Sequence, residues 1–334
     1  MSRPLRNAVW LAVGLVLLAG VVYQADPPRV VRALRDSLAH PWLLAGAVAL
    51  FAATQAGFFL KWHLLSRLAG AAVTVRQSLR LFGTLYLVGT FTPGRAGELA
   101  VPAVMRAGGG MTGVALVNRL LESAWTVSAA LLVAVLVFRG DPRSARLWLL
   151  GPVLLLFVGL MVVLSRRRLT VRLLDGVRWM LKPLGRFRPV AWLLAQEEKY
   201  QGALEPFYAA NERLIRLPAI LLFCALMLAI WMMMVSANYL LVQATVPAVG
   251  KDVTFLVVFA VMVVSAAAMF VSPIPGGLGL TEFTAVAMFY AFGYPQDAFV
   301  PFLLLARFLL YVMVVVLYLV GRTAGRGLPE TFSS

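Results

Sequence analysis

The sequence contains a single cysteine, Cys224, and only two histidines, His40 and His63, in 334 residues. One cysteine excludes an intramolecular disulfide, and its place inside an apolar run reads as a small buried side chain. The histidines flank an apolar run at no metal-ligand spacing, so no zinc or iron centre and no other cofactor is expected. There is no P-loop, no His–Asp pair and no Asp-rich cluster of the sort that metal-assisted transferases carry. Charge is scarce as well: Asp, Glu, Lys and Arg make up 13% of the chain, against about 25% in soluble domains.

What fills the sequence is apolar. Hydrophobic residues make up 61%, more than a soluble fold can hide, and lipid is the natural solvent for such a chain. The formal net charge of +16 would suggest nucleic acid in a soluble protein. Here most of the cations sit in short segments beside apolar runs, the pattern of membrane orientation signals and of contact with anionic lipid heads.

A membrane helix needs roughly 17–25 apolar residues. Six runs qualify as spans: Asn7–Tyr23, Trp42–Phe59, Gly113–Phe138, Leu147–Leu164, Pro218–Val242 and Phe302–Val320. The first resembles a signal peptide, but no small-x-small site follows it around Tyr23 and Ala25, so it is read as an uncleaved helix. Trp10, Trp42, Trp62, Trp148 and Tyr23 fall near the expected interfaces. Ser165–Arg216 is the one long polar segment, with eleven Lys/Arg and five Asp/Glu. Val171, Leu174, Val177 and Leu181 recur in it at helical spacing, which suggests amphipathic helices on the cytoplasmic surface; a solvated loop is the alternative.

Two further apolar stretches break at proline and glycine. Ser78–Phe91 runs into Thr92-Pro93-Gly94-Arg95-Ala96-Gly97-Glu98. Val253–Val271 runs into Pro275-Gly276-Gly277-Leu278-Gly279-Leu280-Thr281-Glu282, and Phe283–Phe292 follows. Proline lacks the donor a helix needs, and non-helical backbone survives inside a bilayer only where protein or a polar cavity covers it. If residues 78–105 and 253–292 are re-entrant hairpins, nineteen Lys/Arg fall on the cytoplasmic side. Seven fall outside: Arg29, Arg32, Arg35, Arg139, Arg143, Arg146 and Lys251. This obeys the positive-inside rule with both termini cytoplasmic. The expected fold is an all-α polytopic membrane bundle, about six full spans plus two re-entrant helical hairpins in an inverted repeat. It forms a single domain over residues 1–330: a first half, 7–164; the polar segment, 165–216; and a second half, 218–322.

The candidate site follows from the charges that this bundle must carry. Arg95 and Glu98 lie in the first turn, Arg119 and Glu122 three apart on one helix, and Glu282 and Arg307 in the second half. A charge at the bilayer centre costs about 2.5–3.5 kcal/mol on insertion scales, so these six need pairing, water or a ligand. One reading is mutual neutralisation. The other is a polar cavity for substrate binding and translocation, with arginine forks drawing a phosphate-bearing or other anionic lipid head. Pro93, Gly94, Gly97, Pro275, Gly276, Gly277 and Gly279 would form its hairpin turns.

The segments Thr92–Glu98, Arg119-Leu-Leu-Glu122 and Pro275–Glu282 in this order resemble the flippase-like family of the lysylphosphatidylglycerol synthase transmembrane domain, over about Asn7 to Arg322. The resemblance implies a multi-pass protein of the cell inner membrane that moves a polar-headed lipid between leaflets. In the full-length synthases a separate cytoplasmic domain performs aminoacyl transfer; the sequence ends at Ser334, so no lysyl transfer and no enzyme activity is expected. The resemblance leaves the lipid open. A lipid-modifying enzyme, or an accessory subunit that partners a lipid-synthesis enzyme, remains as the alternative.

Overall fold

The computed structural model describes residues 23, 27–92, 95, 97–98, 101, 109–137, 212–214, 216–246, 252–272, 274–295 and 297–325. The expected span Leu147–Leu164, nearly all of Asn7–Tyr23 and of Ser165–Arg216, and the turn residues Pro93 and Gly94 lie outside these. The described residues form eight α-helices: α1 (Pro27–Ser37), α2 (Pro41–Leu68), α3 (Val75–Thr90), α4 (Gly109–Val137), α5 (Leu217–Thr245), α6 (Phe255–Val271), α7 (Leu280–Ala291) and α8 (Val300–Ala324). A short 3-10 turn, Asp297–Phe299, precedes α8, and no strand occurs among the described residues. The fold is an all-helical membrane bundle.

Helices α2, α5 and α8 are long and apolar enough to cross a membrane, whereas α6 and α7 are apolar but shorter. Their outward faces stay apolar, with Trp42, Leu221 and Phe308 all exposed, as lipid contact requires. Helix α1 was not expected. Its arginines, Arg29, Arg32 and Arg35, read as exterior-loop residues in sequence, although their spacing of three puts them on one helix face. Leu34 nevertheless packs against Val300 at the start of α8 and gives the segment a buried side.

The helix starts are set by local chemistry. Thr74 and Gln77 close a reciprocal capping box on α3: the Thr74 hydroxyl accepts from the Gln77 N–H at 3.3 Å, and the Gln77 side chain accepts from the Thr74 N–H at 2.9 Å. Thr254 caps α6 by accepting from Val257 N–H. Pro301 sits in the first turn of α8, where a missing donor costs nothing.

Compactness divides the chain into two units. The first comprises the described parts of residues 1–63, 74–101 and 223–328; the second comprises those of 64–73 and 102–222. The first unit therefore combines the first broken element with the second half of the sequence.

Within that first unit, α3 runs antiparallel to α8 with backbones in contact. A methyl group on Gly83 would stand 2.9 Å from the Leu317 carbonyl oxygen, and one on Gly321 would stand 2.6 Å from that of Leu79. Small residues let membrane helices approach this closely. Helix α3 ends where Phe91 meets Tyr311, ring centroids 5.6 Å apart, at the middle of the 25-residue α8.

Helices α6 and α7 form a hairpin. Its two ends meet where the Tyr294 hydroxyl donates to the Asp252 carbonyl at 3.0 Å. Burial, and secondarily the Asp252 carboxylate, hold the Tyr294 phenol above its ordinary value of 10.0. From there α7 runs antiparallel along the first half of α8, with Val286 against Val300 and Phe289 against Phe302. Val300, Arg307, Tyr311, Tyr318 and Gly321 lie on one stripe of α8 at spacings of three, four and seven residues. That stripe receives α7 on its first half and α3 on its second.

Candidate functional site

The turn between α6 and α7 is built from its glycines. Gly276, Gly277 and Gly279 all have positive φ, at 61°, 65° and 78°, where a side chain is strained. Gly276 must also be small, because a methyl group there would stand 2.6 Å from the Thr90 carbonyl oxygen at the end of α3. The turn closes with Gly277 N–H donating to the Ile274 carbonyl at 3.0 Å and Leu278 N–H to that of Pro275 at 3.2 Å. Helix α7 then begins with Glu282 in its first turn, whose Oε2 accepts from Gly279 N–H at 2.8 Å. This is the backbone half of a capping box, since glycine has no side chain to return the bond. The carboxylate also favours the positive end of the helix dipole.

Arg307 fastens this turn to α8. Its Nε donates to Glu282 Oε1 at 2.6 Å and its Nη1 to the Gly276 carbonyl at 2.9 Å. Its Nη2 contacts both Glu282 Oε1 and the Thr281 hydroxyl. The Thr281 hydroxyl lies 3.0 Å from Glu282 Oε2. The guanidinium also lies over the Tyr311 ring, 5.7 Å from its centroid. Sequence reading assigned Arg307 to attract a phosphate. In the structure all three of its nitrogens are engaged by the turn.

The first broken element folds back on the end of α3. The Thr92 hydroxyl donates to the Gly89 carbonyl at 3.1 Å and accepts from Gly97 N–H at 2.8 Å. A side chain on Gly97 would strike Val88 and Thr92, and one on Gly89 would strike Glu98. Arg95 pairs with the buried Glu98 and lies over the Tyr86 ring, 4.9 Å from its centroid. Arg95 has φ of 59°, the one positive φ outside glycine among the described residues. An arginine in that region stores strain, which collects at working sites.

The two turns meet. Thr90 faces Gly276 and Phe91 faces Tyr311, so Arg95, Glu98, Glu282 and Arg307 are gathered around the middle of α8. Arg119 and Glu122 belong to the second compact unit and form their own buried cluster on α4. Arg119 Nη1 lies 3.9 Å from Glu122 Oε2, and Asn118 Nδ2 donates to Glu122 Oε1 at 3.0 Å. Mutual pairing therefore holds for each of the three Arg/Glu pairs.

The sequence profile of the lysylphosphatidylglycerol synthase TM region matches residues 7–317. The chain belongs to this family. No curated protein and no solved structure matches the chain. The match covers both broken elements and the charged helix α4, the features on which the resemblance rested.

Three participants were not legible as site members of this lysylphosphatidylglycerol synthase-type region. Tyr86 and Tyr311 carry no signal in a sequence rich in aromatics, yet each supports an arginine face. Lys61 read as a cytoplasmic charge. It is 1% exposed, donates to Met227 Sδ at 3.4 Å, and lies between the rings of Phe58 and Phe223 at 5.2 and 5.3 Å. It follows the expected span Trp42–Phe59 by two residues, whereas the helix runs on to Leu68 and carries it inside. Among the described residues no group of His, Cys, Asp or Glu is arranged to hold a metal.

Proposed function

We propose that the protein is a lipid translocase of the cell inner membrane that works without covalent chemistry. It would pass a phosphate-bearing head group through a polar site at the bilayer midplane while the acyl tails stay in lipid. The observation that carries this reading is the meeting of two broken helices, entering from opposite ends of α8, at its middle, with Arg95 and Glu98 on one tip and Glu282 on the other. Re-entrant hairpins from opposite leaflets suit alternating access, because each can open one side while the other stays shut. In this reading α3 enters from the cytoplasm, α6 and α7 enter from the exterior, and both termini are cytoplasmic.

Arg95 is the group that draws the phosphate. Its positive φ holds the guanidinium at the tip, and arginine binds phosphate with two parallel donors. Arg307 and Glu282 position the opposite tip. The pair Arg119 and Glu122 is assigned to the same task of carrying charge within the membrane.

The test is movement of fluorescent phospholipids across vesicles reconstituted with wild type, Arg95→Ala and Arg95→Lys at matched insertion. Movement in wild type that is lost in Arg95→Ala and partly kept in Arg95→Lys supports the assignment. Wild-type rates in Arg95→Ala sink the site, and no movement of any lipid sinks the translocase.

A further inference from the structure

Gln55 lies near the middle of α2, is 5% exposed, and its amide oxygen has no hydrogen-bond partner among the described residues. A carbonyl oxygen left unmet inside an apolar bundle is costly and marks a position that an occupant satisfies.

Its place is fixed by its neighbours on the helix. Gln55 precedes Phe58, Phe59 and Trp62 by three, four and seven residues, so it shares their face. That face packs on α3: Phe58 on Tyr86, Phe59 on Phe82 and Trp62 on Phe82, with centroids 6.1, 6.0 and 6.2 Å apart. His63 Nδ1 meets the Ser78 hydroxyl one turn earlier on α3, at 3.0 Å. The two helices are therefore antiparallel. One turn back from Phe58 on α2 corresponds to one turn on from Tyr86 on α3, the level of Gly89 and Thr90. At that level the Glu98 side chain lies against Gly89, Arg95 lies over Tyr86, and the Gly276 turn arrives.

The opposite tip offers no comparable opening. Each nitrogen of Arg307 and each oxygen of Glu282 already has a partner.

We infer that Gln55 reads the head group in the midplane site. Its amide oxygen accepts a hydrogen bond from an N–H or O–H of a lipid whose phosphate is drawn to Arg95. The inference rests on the translocase reading and narrows its substrate to phospholipids with a donor in the head: glycerol, ethanolamine or a sugar. A choline head is disfavoured because its trimethylammonium has neither N–H nor O–H. A site built to meet a donor rejects an analogue lacking one more strongly than an apolar pocket rejects a change of size. A preference of roughly tenfold or more is expected from one such bond.

Two measurements on the full chain test this. The first compares movement of fluorescent phosphatidylglycerol, phosphatidylethanolamine and phosphatidylcholine in vesicles containing wild type, Gln55→Leu or Gln55→Met. The second compares binding of the same three lipids to the detergent-solubilised protein by native mass spectrometry. The expected result is a penalty against choline in wild type that shrinks severalfold in both variants, through slower handling of the donor-bearing lipids. A preference for ethanolamine over glycerol, or the reverse, tells which donor is read. An equal response to all three lipids in wild type, or a choline penalty untouched by both substitutions, overturns the inference and indicates that only water meets the amide. Selective binding without movement keeps the Gln55 site and removes the translocase, so the two failures are distinguishable.

Discussion

Gly276 lies so close to Thr90 that any side chain on it would intrude on the Thr90 carbonyl oxygen, the last of α3. The contact joins residues 186 positions apart and brings the end of one broken helix against the turn that starts another.

Gly276→Ala should therefore be damaging twice over. The positive φ costs alanine about 1 kcal/mol, and the clash with backbone adds about 1–3 kcal/mol because neither side can yield as a flexible side chain would. Thermal unfolding in detergent should fall by several degrees. The control is Gly293→Ala, which shares the positive φ but has open space around it and should lose only the conformational part.

Arg307 and Glu282 should couple strongly. Removing one partner leaves a buried charge exposed to an apolar interior, at a cost of about 3–5 kcal/mol. Arg307→Met and Glu282→Gln should each lower stability sharply, and the double variant should lose less than the two losses added. A double-mutant cycle on thermal or denaturant stability measures the coupling. Additive losses would mean that the two side chains are not a pair in the folded protein.

Arg95→Gly sets relieved backbone strain against a lost ion pair. Glycine relieves the strain at φ of 59°, so the backbone gains about 1 kcal/mol, offset by loss of the pairing with Glu98 and the contact with Tyr86. Buried Glu98 loses its cation, at about 3–5 kcal/mol, so stability should fall by about 2–4 kcal/mol net while lipid movement at matched insertion disappears. Retained movement would mean that Arg95 is present for folding only.

Gly321→Val should part α3 from α8. The added side chain meets the Leu79 carbonyl and Arg80 backbone, and helix packing in lipid depends on such close approach. The expected outcome is poor folded yield, with Gly325→Ala milder because its nearest neighbour is the flexible Arg80 side chain. Size-exclusion profiles of the two variants at equal expression check the order.

Much of this was legible in the sequence. Proline and glycine after an apolar run marked the turn between α6 and α7, and Arg119 with Glu122 could be paired from their spacing alone, since residues three apart share a helix face. Glu282 and Arg307 could be singled out as intramembrane charges. Their union across 25 positions, with Gly276 and Thr281 drawn in, depends on α7 doubling back along α8, which no local pattern encodes. The strain at Arg95 was hidden because arginine gives no sign of its φ, unlike glycine. Lys61 was misread as a surface charge because its aromatic and sulfur neighbours, Phe223 and Met227, come from a distant helix. Helix α1 escaped notice because the partner that buries Leu34, Val300, is remote in sequence.

The stripe along α8 has one more implication. Helix α3 covers its second half and α7 its first, and both run opposite to α8 in direction. The carbonyl end of α3 therefore points at the amide end of α7, about half a negative charge facing about half a positive one. While Thr90 rests on Gly276 these ends offset each other, and the two short helices act electrically as one long dipole with a cut at its centre. Parting them would uncover both signs at once inside an apolar bundle, so the two ends favour staying together.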